Sequence, residues 1–179
     1  EEKTILKRTY DSFRRSGVGL SDAEREIMRA IDEKTKILSL KISKNILASN
    51  NAFKKEFGVD VSDYYDAIAK TGDRTKREAM FKAYTSRCFN RGEGGNTDNI
   101  VEMTRLRIQR AKLLGYATPA DFYNELRLAG SSQVALDFIK PIAKSAAEAA
   151  KRELAEIEEL FKADIAGGKL PKTANTLLQ

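Results

Sequence analysis

Arg105, Arg107, Arg110 and Lys112 fall within the last twelve residues of NTDNIVEMTRLRIQRAKLLGY, the stretch from Asn96 to Tyr116. Cations this close together suit a basic helix that neutralises phosphates, a solvated surface, or a piece of something larger. The rest of the chemistry-bearing inventory is thin. There is no histidine, which removes the commonest general base and the commonest zinc ligand together. Cys88 is the single cysteine, so neither a Cys-based zinc site nor an internal disulfide can form, and a reducing compartment fits. Neither a GxxxxGK(S/T) loop nor a GxGxxG turn occurs. No catalytic, cofactor-binding or metal-ligating residue is assigned.

Placed on a helix, the opening stretch argues against a nucleic-acid reader. At about 100° per residue, Asp98, Glu102, Arg105, Gln109 and Lys112 share one narrow wedge that mixes both signs. A reader of phosphates would collect its cations on one exposed face. Ile100, Met103, Ala111 and Leu114 form the opposite face, with Arg107 in its middle. Val101, Leu106, Ile108 and Leu113 cover the flanks, so the helix reads as embedded on several sides. Arg107 would then be buried or half-buried and need an acidic or carbonyl partner, which makes a structural ion pair the expectation.

The elements around this stretch are all helical. A first helix runs to Arg15 and stops at Ser16-Gly17-Val18-Gly19. Ser21-Asp22-Ala23-Glu24 is a capping box, and behind it Ile27, Ile31, Leu38, Ile42 and Ile46 recur at helical spacing. Ile37, Leu40 and Leu47 widen that stripe. Nothing breaks the helix before Gly58, so it should exceed roughly 50 Å. A short helix over 60–70, capped by Ser62 or Asp63, and one starting at Asp73 with Met80, Phe81 and Tyr84 on one side follow. The loop Arg91 to Asn96 is glycine-rich. Gly115 stops the opening stretch, and Thr118-Pro119 starts a helix to about Ala129. Ser131 or Ser132 caps a last long helix that Pro141 should kink or interrupt.

The totals agree with this. Hydrophobic residues make up 41% and charged residues 32%, an ordinary helical composition, and no apolar run is long enough to span a bilayer. The net charge of +6 is diffuse, with 26 acidic residues interspersed among 32 basic ones. The expected fold is all-α: long antiparallel helices in a layered or hairpin arrangement, with residues 1–179 forming one helical region.

Asp98-Asn99, Leu106-Arg107 and Ala111-Lys112-Leu113-Leu114-Gly115-Tyr116 together resemble the DN…LR…AKLLGY segment of the thimet oligopeptidase and oligopeptidase A family of zinc metallopeptidases. LSDAEREIMRAIDEKTKILSLKISKNILASNNAF resembles that family's long helix, TKREAMFKAYTSR its R…AY…R helix, and SSQVALDFIKPIAKSAAEAAKREL the helices after the LLGY turn. The SGVGLSDAER entry and the N-A-F ending place the resemblance nearest the bacterial peptidyl-dipeptidase branch. It covers about Tyr10 to Leu160, with one departure: the connection between Phe53 and Arg74 is shorter than the family's.

The resemblance implies a larger, mostly helical, clam-like fold whose channel admits short peptides, with zinc held by H-E-x-x-H and a later glutamate. None of that catalytic set lies in this chain, so no family catalytic residue transfers to it. What matches is the N-terminal part that forms scaffold and channel wall. Asp98, Asn99, Arg107, Ala111, Lys112, Leu113, Leu114, Gly115 and Tyr116 are carried over as structural motif residues. The implied partners are the chain's own catalytic domain and, in the parent, zinc and short peptides, with no nucleic acid and no membrane. The implied location is the cytoplasm, or the periplasm if a leader was removed. Arg74, Arg77 or Arg87 could attract a peptide's C-terminal carboxylate, although exposed arginines are more often plain surface. Tyr84 and Tyr116 read as core or rim residues. A stand-alone helical interaction module is the alternative.

Overall fold

In the computed structural model, which describes residues 2–170, the capping box at Ser21 forms as its sequence requires. The Ser21 side chain accepts from the Glu24 amide, and the Glu24 carboxylate accepts from the Ser21 backbone amide at 2.8 Å. From this start α2 runs unbroken over Asp22–Phe57, roughly 54 Å long. Gly58 ends it in the left-handed region at φ 71°, its amide donating to the Lys54 carbonyl. Preceding it, α1 (Glu2–Arg15) buries none of its residues. Among the described residues there are seven α-helices and no strand, so the chain is all-α.

The chain resolves into two compact units, a first ending at Phe122 and a second beginning at Tyr123. In the first, α2 packs most extensively on α5 (Thr97–Leu113). Asn45 of α2 bonds Asn96 beside the start of α5, and Asp32 pairs with Arg110 near its end, so the two helices run antiparallel. On α2 the residues turned inward are Met28, Ile31, Thr35, Leu38, Ile42, Asn45, Ser49 and Phe53, a three-four alternation. Asn99, Met103, Leu106, Arg110 and Leu113 alternate likewise on α5. Such spacing keeps one seam in contact over many turns.

This seam corrects the helical face inferred for α5. Its buried stripe centres near Leu106, rotated by roughly 80° from the face that Arg107 would bisect. Arg107 is exposed and forms no ion pair among the described residues, so the expected pair is absent. Arg110 takes that part, reaching Asp32 at 3.3 Å. On α2, Ile27, Ile37, Leu40, Ile46 and Leu47 are exposed, while Thr35, Asn45 and Ser49 turn inward.

Beyond α2, a 3-10 turn (Val61–Asp63) leads into α3 (Tyr64–Lys70), and neither Ser62 nor Asp63 supplies the expected cap. Asp73 does cap α4 (Arg74–Thr85), accepting from the Thr75 and Lys76 amides. Phe53, Tyr64 and Met80 form the core where these helices meet α2, flanked by Phe57, Ile68 and Tyr84. Tyr64 and Tyr84 stack at 3.7 Å. Each apolar side chain buried here contributes about 1.5–3 kcal/mol. Phe81, expected on the same side, is exposed.

Thr118 caps α6 (Pro119–Asn124), accepting from the Asp121 amide; α6 stops short of Ala129 as the chain turns at Arg127 and Gly130. In the second unit, the Ser131 hydroxyl accepts from Val134 and starts α7 (Ser132–Ala166). The helix continues through Pro141 without the interruption expected. The proline removes one amide donor, and the Ala-, Glu- and Lys-rich residues after it propagate the helix. No residue of α7 is buried, although Phe138, Ile142, Ile157 and Leu160 lie along it.

Candidate functional site

The glycine-rich loop between α4 and α5 is held by the residues that follow it. Asp98 accepts from the Arg91 guanidinium at 2.9 Å and from the Gly92 amide at 3.2 Å. Asn99, buried, donates to the Gly95 carbonyl at 3.0 Å and to the Asn96 side-chain oxygen at 3.2 Å. Asn45 donates to the same two acceptors from across the seam, at 2.8 and 2.9 Å. Asn96 donates back to the Ile42 carbonyl at 3.2 Å. Three asparagines thus tie the loop to α2 inside a contact that excludes water, where each unmet polar group would cost about 1–3 kcal/mol.

The other end of α5 closes in a Schellman turn. The Tyr116 amide donates to the Ala111 carbonyl at 2.9 Å and the Gly115 amide to the Lys112 carbonyl at 3.0 Å. Gly115 sits at φ 83°, the left-handed conformation that glycine reaches without strain. Ala111 is buried, Leu113 and Leu114 are half-buried, and Lys112 is exposed. The turn points Tyr116 at α1, where its hydroxyl accepts from Arg15 at 3.4 Å and its ring meets Phe122 edge-on at 5.2 Å.

A groove of about 660 Å³ opens between α2, the 3-10 turn and the start of α5. Ile42, Ile46 and Asn50 of α2, Val61, Arg87 and Ile100 line it. Cys88 adopts φ 57° at its edge, and its carbonyl accepts from the Asn96 amide at 2.9 Å. Half-buried Arg87 stacks on the Tyr84 ring, 4.0 Å from the centroid. Its Nη1 is shielded from solvent and has no hydrogen-bond partner among the described residues. Burial pushes the hydroxyl of Tyr64, which stacks on the Tyr84 ring, above the usual phenol range.

The other two cations singled out as carboxylate attractors are placed differently. Arg77 donates to the Thr71 and Gly72 carbonyls at 2.8 and 2.9 Å and so caps the loop before α4. Arg74, half-buried, begins α4 and does not line the groove. Asn45, Gly95 and Asn96 were not legible as a unit. The available signal was Asn45 at helical spacing from Leu38, Ile42 and Ser49.

Zinc, which the family resemblance implies, does not fit the donors present. The sequence has no histidine, and among the described residues no three Asp, Glu or Cys side chains cluster for a metal. No helix among them is long and apolar enough to cross a membrane.

An all-helical unit with a buried asparagine-pinned loop and an apolar groove bearing one arginine therefore stands where the DN…AKLLGY pattern lies. The sequence profile of peptidase family M3 matches residues 67–174, more than half of the chain, and the chain belongs to that family. It is similar to oligopeptidase A of Haemophilus influenzae, 23% identical over 192 aligned positions covering 88% of this chain and 28% of the relative. Oligopeptidase A of Escherichia coli is 30% identical over 110 positions, 59% of this chain and 16% of the relative. The organellar oligopeptidase A of Arabidopsis thaliana is 23% identical over 184 positions, 82% and 23%. The chain thus spans at most 28% of the length of these relatives. The longest alignments exceed the chain's own 179 residues, so those relatives carry segments that this chain lacks.

Proposed function

We propose that this chain is the scaffold and channel-wall part of a zinc-dependent oligopeptidase of the peptidyl-dipeptidase branch, acting on short peptides. The observation that carries the reading is the family match over a segment with no histidine: the chain is related to metallopeptidases but cannot hold their metal. Its contribution is steric, with long helices walling a channel and excluding folded proteins. The motif residues Asp98, Asn99, Arg107, Ala111, Lys112, Leu113, Leu114, Gly115 and Tyr116 act as structure: the first two fix the loop, and the last six end α5 and set its exit. Arg107, exposed, meets the catalytic part of the parent. The bare apolar side chains of α7 and of the outer face of α2 support a large covering partner, since soluble chains rarely leave contiguous apolar surface in water. The proposed compartment is the cytoplasm.

The test is the native polypeptide read past Gln179, with its peptide hydrolysis measured before and after chelation. A longer chain carrying H-E-x-x-H and a later glutamate, with hydrolysis lost on chelation and restored by zinc, is the expected result. A native chain without that motif sinks the proposal and leaves a helical interaction module that uses the same bare faces.

A further inference from the structure

We propose that the groove over Arg87 is a subsite for the free C-terminal carboxylate of a short peptide, an inference that rests on the peptide-cleaving reading of the parent. Arg87 is the only charged residue among the described residues that line the groove. It forms no hydrogen bond or ion pair among them, and its one partner is the face of Tyr84. A guanidinium stacked on a ring and half withdrawn from water is stabilised by an anion beside it. A carboxylate on the groove side neutralises that delocalised charge whichever nitrogen it meets.

The start of α5 adds a second, independent attraction. Asn96 and Thr97 line the groove, and Asn96 gives α5 no side-chain cap because its amide is committed to Ile42, Asn45 and Asn99. The Asn96 and Thr97 amides donate to the Cys88 and Asn90 carbonyls, and the partial positive charge that remains at the helix start lies beside the same space as the guanidinium. Asn50 completes the set, since its side chain makes no hydrogen bond among the described residues.

These groups favour a chain terminus over an acidic side chain. A terminal carboxylate brings the adjoining amide N–H, which the Asn50 carbonyl can accept, and a last side chain that Ile42, Ile46 and Ile100 can cover. The volume of about 660 Å³ lies in the range of small-ligand sites, enough for a few residues and too small for a folded partner.

The test uses the native polypeptide that contains this chain, chelated so that no peptide is cut and no metal competes for the carboxylate. Binding of a dansylated hexapeptide ending in Phe is followed by fluorescence anisotropy, as free acid, as C-terminal amide, and as an amide carrying one internal Glu. The free acid should bind about tenfold or more tighter than the amide. Arg87→Gln should erase that preference with the helical circular dichroism unchanged, and Arg87→Lys should keep part of it. Equal binding of acid and amide overturns the subsite, as does a preference that survives Arg87→Gln. An internal-Glu amide as tight as the free acid overturns the choice of a chain terminus. Absence of binding by any of the three overturns the subsite alone, because chelation-sensitive hydrolysis tests the peptidase reading separately.

Discussion

Gly95→Ala should be the most damaging single methyl in this chain. A Cβ built on Gly95 would lie 2.0 Å from the Asn90 carbonyl oxygen, 2.5 Å from that carbonyl carbon and 2.8 Å from the Asn90 side-chain oxygen. No rotamer relieves a contact with backbone, so the loop must move by about 1.5 Å to restore ordinary van der Waals distance. The Gly95 carbonyl is meanwhile the acceptor for Asn45 at 2.8 Å and Asn99 at 3.0 Å, and such a shift breaks or lengthens both bonds. Overpacking of this kind costs about 1–3 kcal/mol and each of the two lost hydrogen bonds about 0.5–1.5, which places the variant at about 2–6 kcal/mol of destabilisation. Gly94→Ala is the control. Nothing lies within 4 Å of its Cβ, and only the left-handed φ of 76° opposes it, at about 1–2 kcal/mol. Urea denaturation followed by far-ultraviolet circular dichroism measures both, and trypsin cleavage after Arg91 reports on the loop. If Gly95→Ala costs no more than Gly94→Ala and leaves the cleavage rate unchanged, the loop is not held as described.

Three further outcomes follow from the same contacts. Ser21→Ala should lower stability by about 1 kcal/mol, measured by the same denaturation, because the Glu24 amide loses its acceptor. Hydrogen bonds from Ser21 hold the Glu24 carboxyl below the usual carboxylate range. The stability this adds is therefore fully present above about pH 4.3, and it disappears as pH falls through the lowered value, so the gap between wild type and Ser21→Ala should narrow in acid. Arg107→Ala should change the stability of this chain by less than about 0.5 kcal/mol, whereas Arg110→Ala, which removes the partner of Asp32 and a cation over the Phe122 ring, should cost about 1 kcal/mol; a reversal of that order on thermal melting would restore the face centred on Arg107. Asn45→Leu should cost little, because Asn99 still serves both of its acceptors, yet amide exchange across residues 91–96 should accelerate; unchanged exchange would show that Asn45 does not hold the loop.

Caps and stops were legible because each is a local rule with one physical cause. The Ser21 box, the Gly58 and Gly115 ends and the Asp73 cap require only the residues within a turn of them. The choice of face was not legible. On α5, Ile100, Val101 and Ile108 are apolar and exposed, so hydrophobicity points in nearly every direction and cannot select a seam. The buried stripe instead includes Asn99 and Arg110, whose polarity argues for solvent until Gly95 and Asp32 are seen opposite them. The family motif was read from residue order, and it carried no information about which of its members turn inward.

The same ambiguity explains the polar residues that α2 places in its seam. A helix apolar on several sides could present Ile37, Leu40 and Leu47 to α5 as readily as Leu38 and Ile42, and burial energy alone separates these rotations weakly. Asn45 separates them, because only one rotation and one antiparallel register put its amide against both Gly95 and Asn96. Polar groups of this kind select an arrangement rather than add stability. The apolar residues left outside are then free for another surface, which a helix buried on every side by its own chain would not offer. In this chain the asparagines settle which face is kept and, by exclusion, which faces are offered.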